Sequence, residues 1–225
     1  MANFVTMREK VLAVMGLTVC AALLVSAVDP YERSTWWMEV APVLIAGPLL
    51  VATYRRFPLT SLVYSLIFLQ ALILIVGGAY TYARVPFGFE LENWFHLLRN
   101  PYDKIGHFAQ GVVPALLARE ILLRGHYVCG RRMVLFLSVC VAMAVSAWYE
   151  LIEWGAALVL GQGANEFLGT QGDPLDTQSD MFIAFIGAVL ALALLVRIQD
   201  RQMVRLERSL QPYKSTAVKG HGHRC

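Results

Sequence analysis

From Thr60 to Tyr82 the chain carries no Asp, Glu, Lys, Arg or His. Few folds accept such a run. A helix crosses the hydrocarbon core of a bilayer with roughly 20 apolar residues. In that solvent an isolated segment can satisfy its backbone N–H and C=O groups only as a helix. Runs at about 10–28, 38–54, 102–123, 133–154 and 174–198 repeat the pattern with few charges. The chain is 57% hydrophobic and 16% charged, where a soluble domain has about a quarter charged residues. The sequence therefore predicts an all-α, polytopic transmembrane helix bundle of six spans. Residues 1–198 form one membrane domain, and 199–225 follow as a basic tail whose first turns prolong the last helix.

Some details follow from residue type. Arg8 and Lys10 precede the first apolar run as in a secretory signal, but the run exceeds the usual signal core of about 7–15 residues. Pro42, Gly47 and Pro48 predict a kink in the second span. In the segment 88–99, Leu91, Trp94, Phe95 and Leu98 fall on one helical face. This predicts either a helix lying in the membrane interface or a loop anchored by aromatics. The Gly-rich stretch 155–172 reads as a folded or partly re-entrant loop. Cys20, Cys129, Cys140 and Cys225 show no CxxC spacing and read as free thiols.

Orientation follows from the basic residues, which favour the cytoplasmic side. Only Arg33, Arg84, Arg99 and Lys104 of the 19 fall on one set of connecting segments; the other 15 fall on the opposite set. The basic set includes both ends of the chain, so both termini are expected in the cytoplasm. The acids show the reverse bias, with 12 of 16 on the outer side.

This topology brings three polar stretches to one membrane face. Asn100-Pro101-Tyr102-Asp103 leads to His107, and Asp173-Pro174-Leu175-Asp176 leads to Asp180. The two share a layout: a capping residue, Pro, any residue, Asp, and one helical turn later His or Asp. Between them lies Trp148-Tyr149-Glu150-Leu151-Ile152-Glu153. Side chains at i and i+4, or i and i+3, share a helix face. Carboxylates at membrane depth are costly unless paired or facing a polar interior. Asp103, His107, Glu150, Glu153, Asp173, Asp176 and Asp180 are therefore candidate ligands of a divalent metal such as Zn, Mg or Mn. His107, Glu150 and Asp180 are candidate catalytic groups for proton transfer. A plainer reading stands beside this one. Asn100 and Asp173 suit an N-cap, Pro the first helical position, and Asp103 and Asp176 the third, where an acid favours the helix dipole. Capping does not account for His107 or Asp180. Arg119-Glu120 reads as a snorkelling ion pair at the cytoplasmic end.

The strings Tyr102-Asp103-Lys104-Ile105-Gly106-His107-Phe108, Trp148-Tyr149-Glu150 and Leu168-Gly169-Thr170-Gln171-Gly172-Asp173-Pro174-Leu175-Asp176-Thr177-Gln178-Ser179-Asp180-Met181 resemble the YjdF-type bacterial inner-membrane family. With Pro114 and Arg119-Glu120, that resemblance covers roughly residues 10–198. It implies an inner-membrane location and supplies no activity. A weaker resemblance is to VanZ-like membrane proteins. Asp103, Lys104, His107 and Phe108 match their first element, Glu150 the second, and Asp176 and Asp180 the third. The chain departs from that group in lacking a clear Arg near the last element.

Three functions fit these residues: a metal-dependent membrane enzyme acting on a lipid or envelope substrate, an ion-coupled transporter, and a structural or accessory protein whose polar cluster pins helices. The absence of an inverted repeat and the one-sided placement of charge weigh against transport. Membrane lipids are the expected partners. Nucleic acid is not, because the basic tail lacks interleaved aromatics.

Overall fold

The computed structural model describes residues 2–160, 171 and 173–214. Every regular element among them is helical: α1 (Ala2–Ser26), α2 (Arg33–Thr53), α3 (Ser61–Tyr80), a 3₁₀ turn (Tyr82–Arg84), α4 (Pro86–Phe95), α5 (Tyr102–Arg124), α6 (Arg131–Leu160) and α7 (Asp176–Lys214). Five of them, α1, α2, α3, α6 and α7, contain stretches long and apolar enough to cross a membrane. The sixth expected span, α5, is helical over the expected residues but does not meet that description. Asp103 and Lys104 at one end, and Arg119, Glu120 and Arg124 at the other, leave too short an uncharged run between them.

α5 instead forms the centre of the bundle. It packs against α3, α6 and α7 and buries a stripe from Tyr102 to Glu120. Its crossing with α7 is built from small residues: Gly111 and Ala115 face Ala184, Ala188 and Gly187. A β-carbon on Gly111 would lie 1.8 Å from the carbonyl oxygen of Ala184, and one on Gly187 would lie 2.3 Å from that of Phe108. Such backbone proximity is how helices associate when lipid removes the hydrophobic drive between them. α1 is peripheral; it packs on α3 and turns Val11, Val14, Leu17 and Leu24 outward.

Several local expectations need adjusting. α2 begins at Arg33, ahead of the expected start at 38, and runs to Thr53 with Pro42 and Pro48 inside it. α4 stops at Phe95, where His96 takes a left-handed conformation (φ 49°), so Leu98 is not on its apolar face. Phe87, Phe89, Trp94 and Phe95 are all exposed, a surface suited to the headgroup level. α6 continues through Gly155 to Leu160, taking up the start of the predicted loop. The rest of that loop, 161–170 and 172, lies outside the described residues, as does the tail after Lys214. α7 absorbs the start of the tail. Cys20 and Cys140 are free, but Cys129 is disulfide-bonded. Its place in a loop rather than an apolar run leaves its sulfur accessible to a partner.

The end of α5 away from Asp103 corrects the reading of Arg119 and Glu120. Adjacent helical residues do not face each other, and here both are buried and make no ion pair with one another; Gln199 bridges them, accepting from Arg119 and donating weakly to Glu120 at 3.4 Å. Glu120 accepts hydrogen bonds from the Thr60 backbone N–H (2.7 Å), the Thr60 hydroxyl (2.6 Å) and Arg124 (2.7 Å). Arg119 donates to Gln199 (2.8 Å) and Asp200 (2.5 Å). These bonds join the start of α3, the end of α5 and the middle of α7.

Candidate functional site

The two twin stretches start their helices in the same way. The Asn100 side-chain oxygen accepts the Tyr102 N–H at 3.0 Å, and the Asp173 carboxylate accepts the Leu175 N–H at 2.9 Å. The side chain thus bonds two residues ahead, as Asn and Asp do in turns. Pro101 takes the cap position, so Asp103 falls one place earlier than expected; Asp176 is the first helical residue of α7. The stretches are also joined. Gln171 grips the Asn100 backbone, accepting from its N–H at 3.1 Å and donating to its carbonyl at 3.0 Å. Asn100 also donates to the Val85 carbonyl at 3.0 Å.

Lys104 links α5 to α7. Its ammonium lies 2.8 Å from Asp176, 2.7 Å from the Ser179 hydroxyl and 2.6 Å from Asp180. Arg99 adds a second bridge, at 2.7 Å from Asp176 and 3.1 Å from Asp173. Asp176 is therefore held by two cations, and Asp173 sits at the rim with one. The sequence had suggested no Arg near this element; Arg99 reaches it from the segment preceding α5.

His107 lies one turn below Lys104's neighbour Asp103 and is buried. Its Nε2 is 3.4 Å from Asp103 and 3.8 Å from Asp180. Its Nδ1 is 2.9 Å from the Gln110 side-chain oxygen and 3.7 Å from Glu150. Asp103, His107 and Asp180 each offer one ligand atom, all within 4.8 Å of one another. Glu150 lies across the ring from this group, and its buried Oε1 has no hydrogen-bond partner among the described residues. The buried Ser146 hydroxyl, one turn back on α6, also lacks one.

Glu153 stands apart. It lines a cavity of about 110 Å³ bounded by α2, α3, α5 and α6, which also borders Asp103 and His107. Opposite it is Glu39 of α2, fully enclosed, with the Tyr149 hydroxyl donating to its carboxylate at 2.5 Å. Tyr82 completes that wall, its ring wedged against Gly77 and Gly106. Among the seven ligand candidates, then, three converge on one point. Glu150 sits behind His107, Asp176 and Asp173 are engaged by Arg99 and Lys104, and Glu153 faces the cavity.

Sequence reasoning passed over Glu39, Tyr82 and Arg99 as partners, whereas helical spacing puts Gln110 on the face of Asp103 and His107. Glu39 had a usable signal: it is the single charge in its apolar run, and an ionisable residue inside a membrane span is a functional candidate by default. Arg99 had none, because its reach to α7 depends on tertiary structure.

Comparison with known proteins places the chain in a membrane-protein family. No solved structure matches the chain. A curated relative, the inner membrane protein YjdF of Escherichia coli strain K12, is 58% identical over 200 residues, covering 89% of this chain and 96% of that one. The family model described as "Predicted membrane protein (DUF2238)" matches residues 11–201. The chain is thus a multi-pass inner-membrane protein and belongs to the DUF2238 family.

Proposed function

We propose that the chain is a six-span membrane enzyme with both termini in the cytoplasm, in which Asp103, His107 and Asp180 hold a divalent metal at the outer face and act on an envelope or lipid substrate. Residues 1–198 make up the membrane domain, and the remainder is the cytoplasmic tail. The observation that carries the metal reading is the Asp103–His107–Asp180 group. Its contacts of 3.4 and 3.8 Å about Nε2 approach the roughly 3.3–3.6 Å between ligands at a tetrahedral ion with bonds of ~2.0–2.2 Å. The donor set, two carboxylates and one imidazole, suits Zn or Mn.

Charge supports the same reading. Among the described residues, Asp103, Glu150, Asp173, Asp176 and Asp180 face Arg99, Lys104 and His107 as cations at the cluster. Buried carboxylates in excess need a bound cation or retained protons. The Gln110 side-chain oxygen, 2.9 Å from Nδ1, suits a tautomer protonated at Nδ1, which would leave Nε2 to ligate, the usual outer-shell arrangement at a metal-bound imidazole. A bound divalent ion supplies Lewis-acid polarisation of a carbonyl or phosphoryl oxygen. Glu150, with its Oε1 behind the imidazole, serves as the proton acceptor.

α5 is proposed as the sixth span because its 23 residues are long enough to cross and its polar ends are enclosed by α3, α6 and α7. Metal analysis of the purified protein beside His107→Ala tests the centre. Near-stoichiometric metal is expected in the natural chain and a loss of at least tenfold in the variant; equal, negligible metal in both refutes it. Reporter fusions test the topology, with a reporter active in the cytoplasm expected to work at both termini and to fail in the 83–101 segment. One observation favours a second, structural reading: Lys104 already supplies a cation to Asp176 and Asp180. On that reading Asp180→Asn destabilises the fold and leaves metal content unchanged.

A further inference from the structure

The cavity on the other side of His107 has a different chemistry from the metal group. Glu153 is 8% exposed and makes no hydrogen bond or ion pair with the described residues. It lines a space of about 110 Å³, room for several water molecules. Glu39 lies on another wall and Asp103 on a third, so carboxylates approach from three helices. Among the described residues no Lys or Arg side chain lines the space. His107 borders it, but the ring nitrogens are directed at Asp103, Asp180, Gln110 and Glu150. Beside the acids, two tyrosines, Tyr82 and Tyr149, form part of the wall. Tyr149 already spends its hydroxyl on Glu39 and has no second proton to offer Glu153. A buried carboxylate without a donor costs several times an ordinary hydrogen bond's net worth unless a cation meets it or it keeps its proton.

We infer that this cavity binds a primary ammonium group, carried either by an amine-bearing lipid headgroup or by a free small amine. Carboxylates beside tyrosine rings are the usual environment for an organic cation, because an ammonium accepts both ionic and ring-face contacts. An ammonium also brings three N–H donors: one meets Glu153, which has no other donor, and the rest can reach the lone pairs left on Glu39, already bonded by Tyr149, or on Asp103, already paired with His107. A bare inorganic ion would leave much of the volume unfilled, whereas a group of ethanolamine's size occupies it. The exposed Trp148 and Trp154 on α6, flanking Glu153 in sequence, place this carboxylate near the headgroup level, where amphipathic rings settle. The inference names a substrate class for the proposed enzyme and rests on that reading only for the word substrate; the binding does not require the metal.

The test is calorimetric titration of the detergent-purified full chain with ethanolamine hydrochloride, beside ethylene glycol as the neutral counterpart and sodium chloride as the ionic one. Saturable binding of ethanolamine alone is expected, weakened at least tenfold in Glu153→Gln. An equal response to ethylene glycol, or displacement of ethanolamine by equimolar sodium, overturns the inference. So does an unchanged affinity in Glu153→Gln. If that variant fails to fold, the three titrations of the natural chain still decide the matter. Repeating them in nanodiscs of phosphatidylethanolamine and of phosphatidylglycerol separates the sources. Occlusion of the site in the first only identifies the lipid headgroup, and equal binding in both identifies the free amine. His107→Ala separates the two readings: ethanolamine binding that survives with negligible metal in every sample refutes the metal enzyme and sustains the ammonium site.

Discussion

Replacing Gly111 by Ala is expected to separate α5 from α7 and to loosen the site one turn away. The added β-carbon meets the Ala184 carbonyl oxygen at 1.8 Å, its carbonyl carbon at 2.7 Å and its α-carbon at 2.9 Å. These are backbone atoms and cannot rotate aside. Restoring an ordinary contact of about 3.4 Å requires a shift of roughly 1.6 Å, and overpacking of this kind typically costs about 1–3 kcal/mol. Helix propensity works in the opposite direction, favouring Ala over Gly by about 0.5–1 kcal/mol. The clash wins because the shift must move a whole helix. A net loss of about 1–2 kcal/mol corresponds to a fall of roughly 2–8 °C in melting temperature for a chain of this size. His107 and Asp180 lie one turn from Gly111 and Ala184, so their 3.8 Å approach lengthens as well. Gly47→Ala is the control, since nothing lies within 4 Å of its added carbon; it should melt at or above the natural temperature. Ala184→Gly should not rescue Gly111→Ala, because the obstructing atoms are backbone. The assay is thermal unfolding in detergent, followed by tryptophan fluorescence. A Gly111→Ala protein that melts like the Gly47→Ala control refutes the packing argument.

Three further outcomes follow from other contacts. Lys104→Met removes the cation between Asp176 and Asp180, and breaking a buried ion pair from one side costs about 3–5 kcal/mol; the double variant with Asp180→Asn should recover part of that loss in the same melts, and no recovery would show that the pair is not coupled. Glu120→Ala leaves the Thr60 N–H and hydroxyl without their acceptor, so a loss of about 2–4 kcal/mol is expected from two unsatisfied buried donors, and a near-natural melting curve would contradict it. Thr81 holds φ 55° with its hydroxyl buried and unbonded, so Thr81→Gly should raise stability by about 1 kcal/mol, provided that Tyr82 keeps its seat; a lower melting temperature would mean that the threonine methyl contributes more than its backbone strain removes.

How much of this was legible in the sequence depends on the range of each interaction. Apolar runs report directly on helices, and the expected spans at 60–82 and 102–123 nearly coincide with α3 and α5. The side-chain period placed Asp103 with His107, and Asp176 with Asp180, because i and i+4 geometry is local. The shared layout of the twin stretches also carried information: both open with the same side-chain turn. What the spacing could not supply was the allocation of partners. Six acids and one histidine looked equivalent as ligands, yet Arg99 and Lys104 engage Asp173 and Asp176, Asp180 is shared between Lys104 and the group around His107, and Asp103 pairs with His107.

The composition of α5 ties the fold to the site. Its ends are too polar for a helix that faces lipid, and its middle brings the backbone of α7 within contact of Gly111. A helix of that kind is stable in a membrane only when its neighbours enclose it, and α3, α6 and α7 do so. Enclosure is also what turns Asp103, Lys104 and His107 inward toward carboxylates from two other helices. Of the residues that make α5 unlike an ordinary span, Asp103 and Lys104 build the polar site, while Arg119, Glu120 and Arg124 tie its other end to the start of α3 and to α7; both ends depend on neighbouring helices to enclose them.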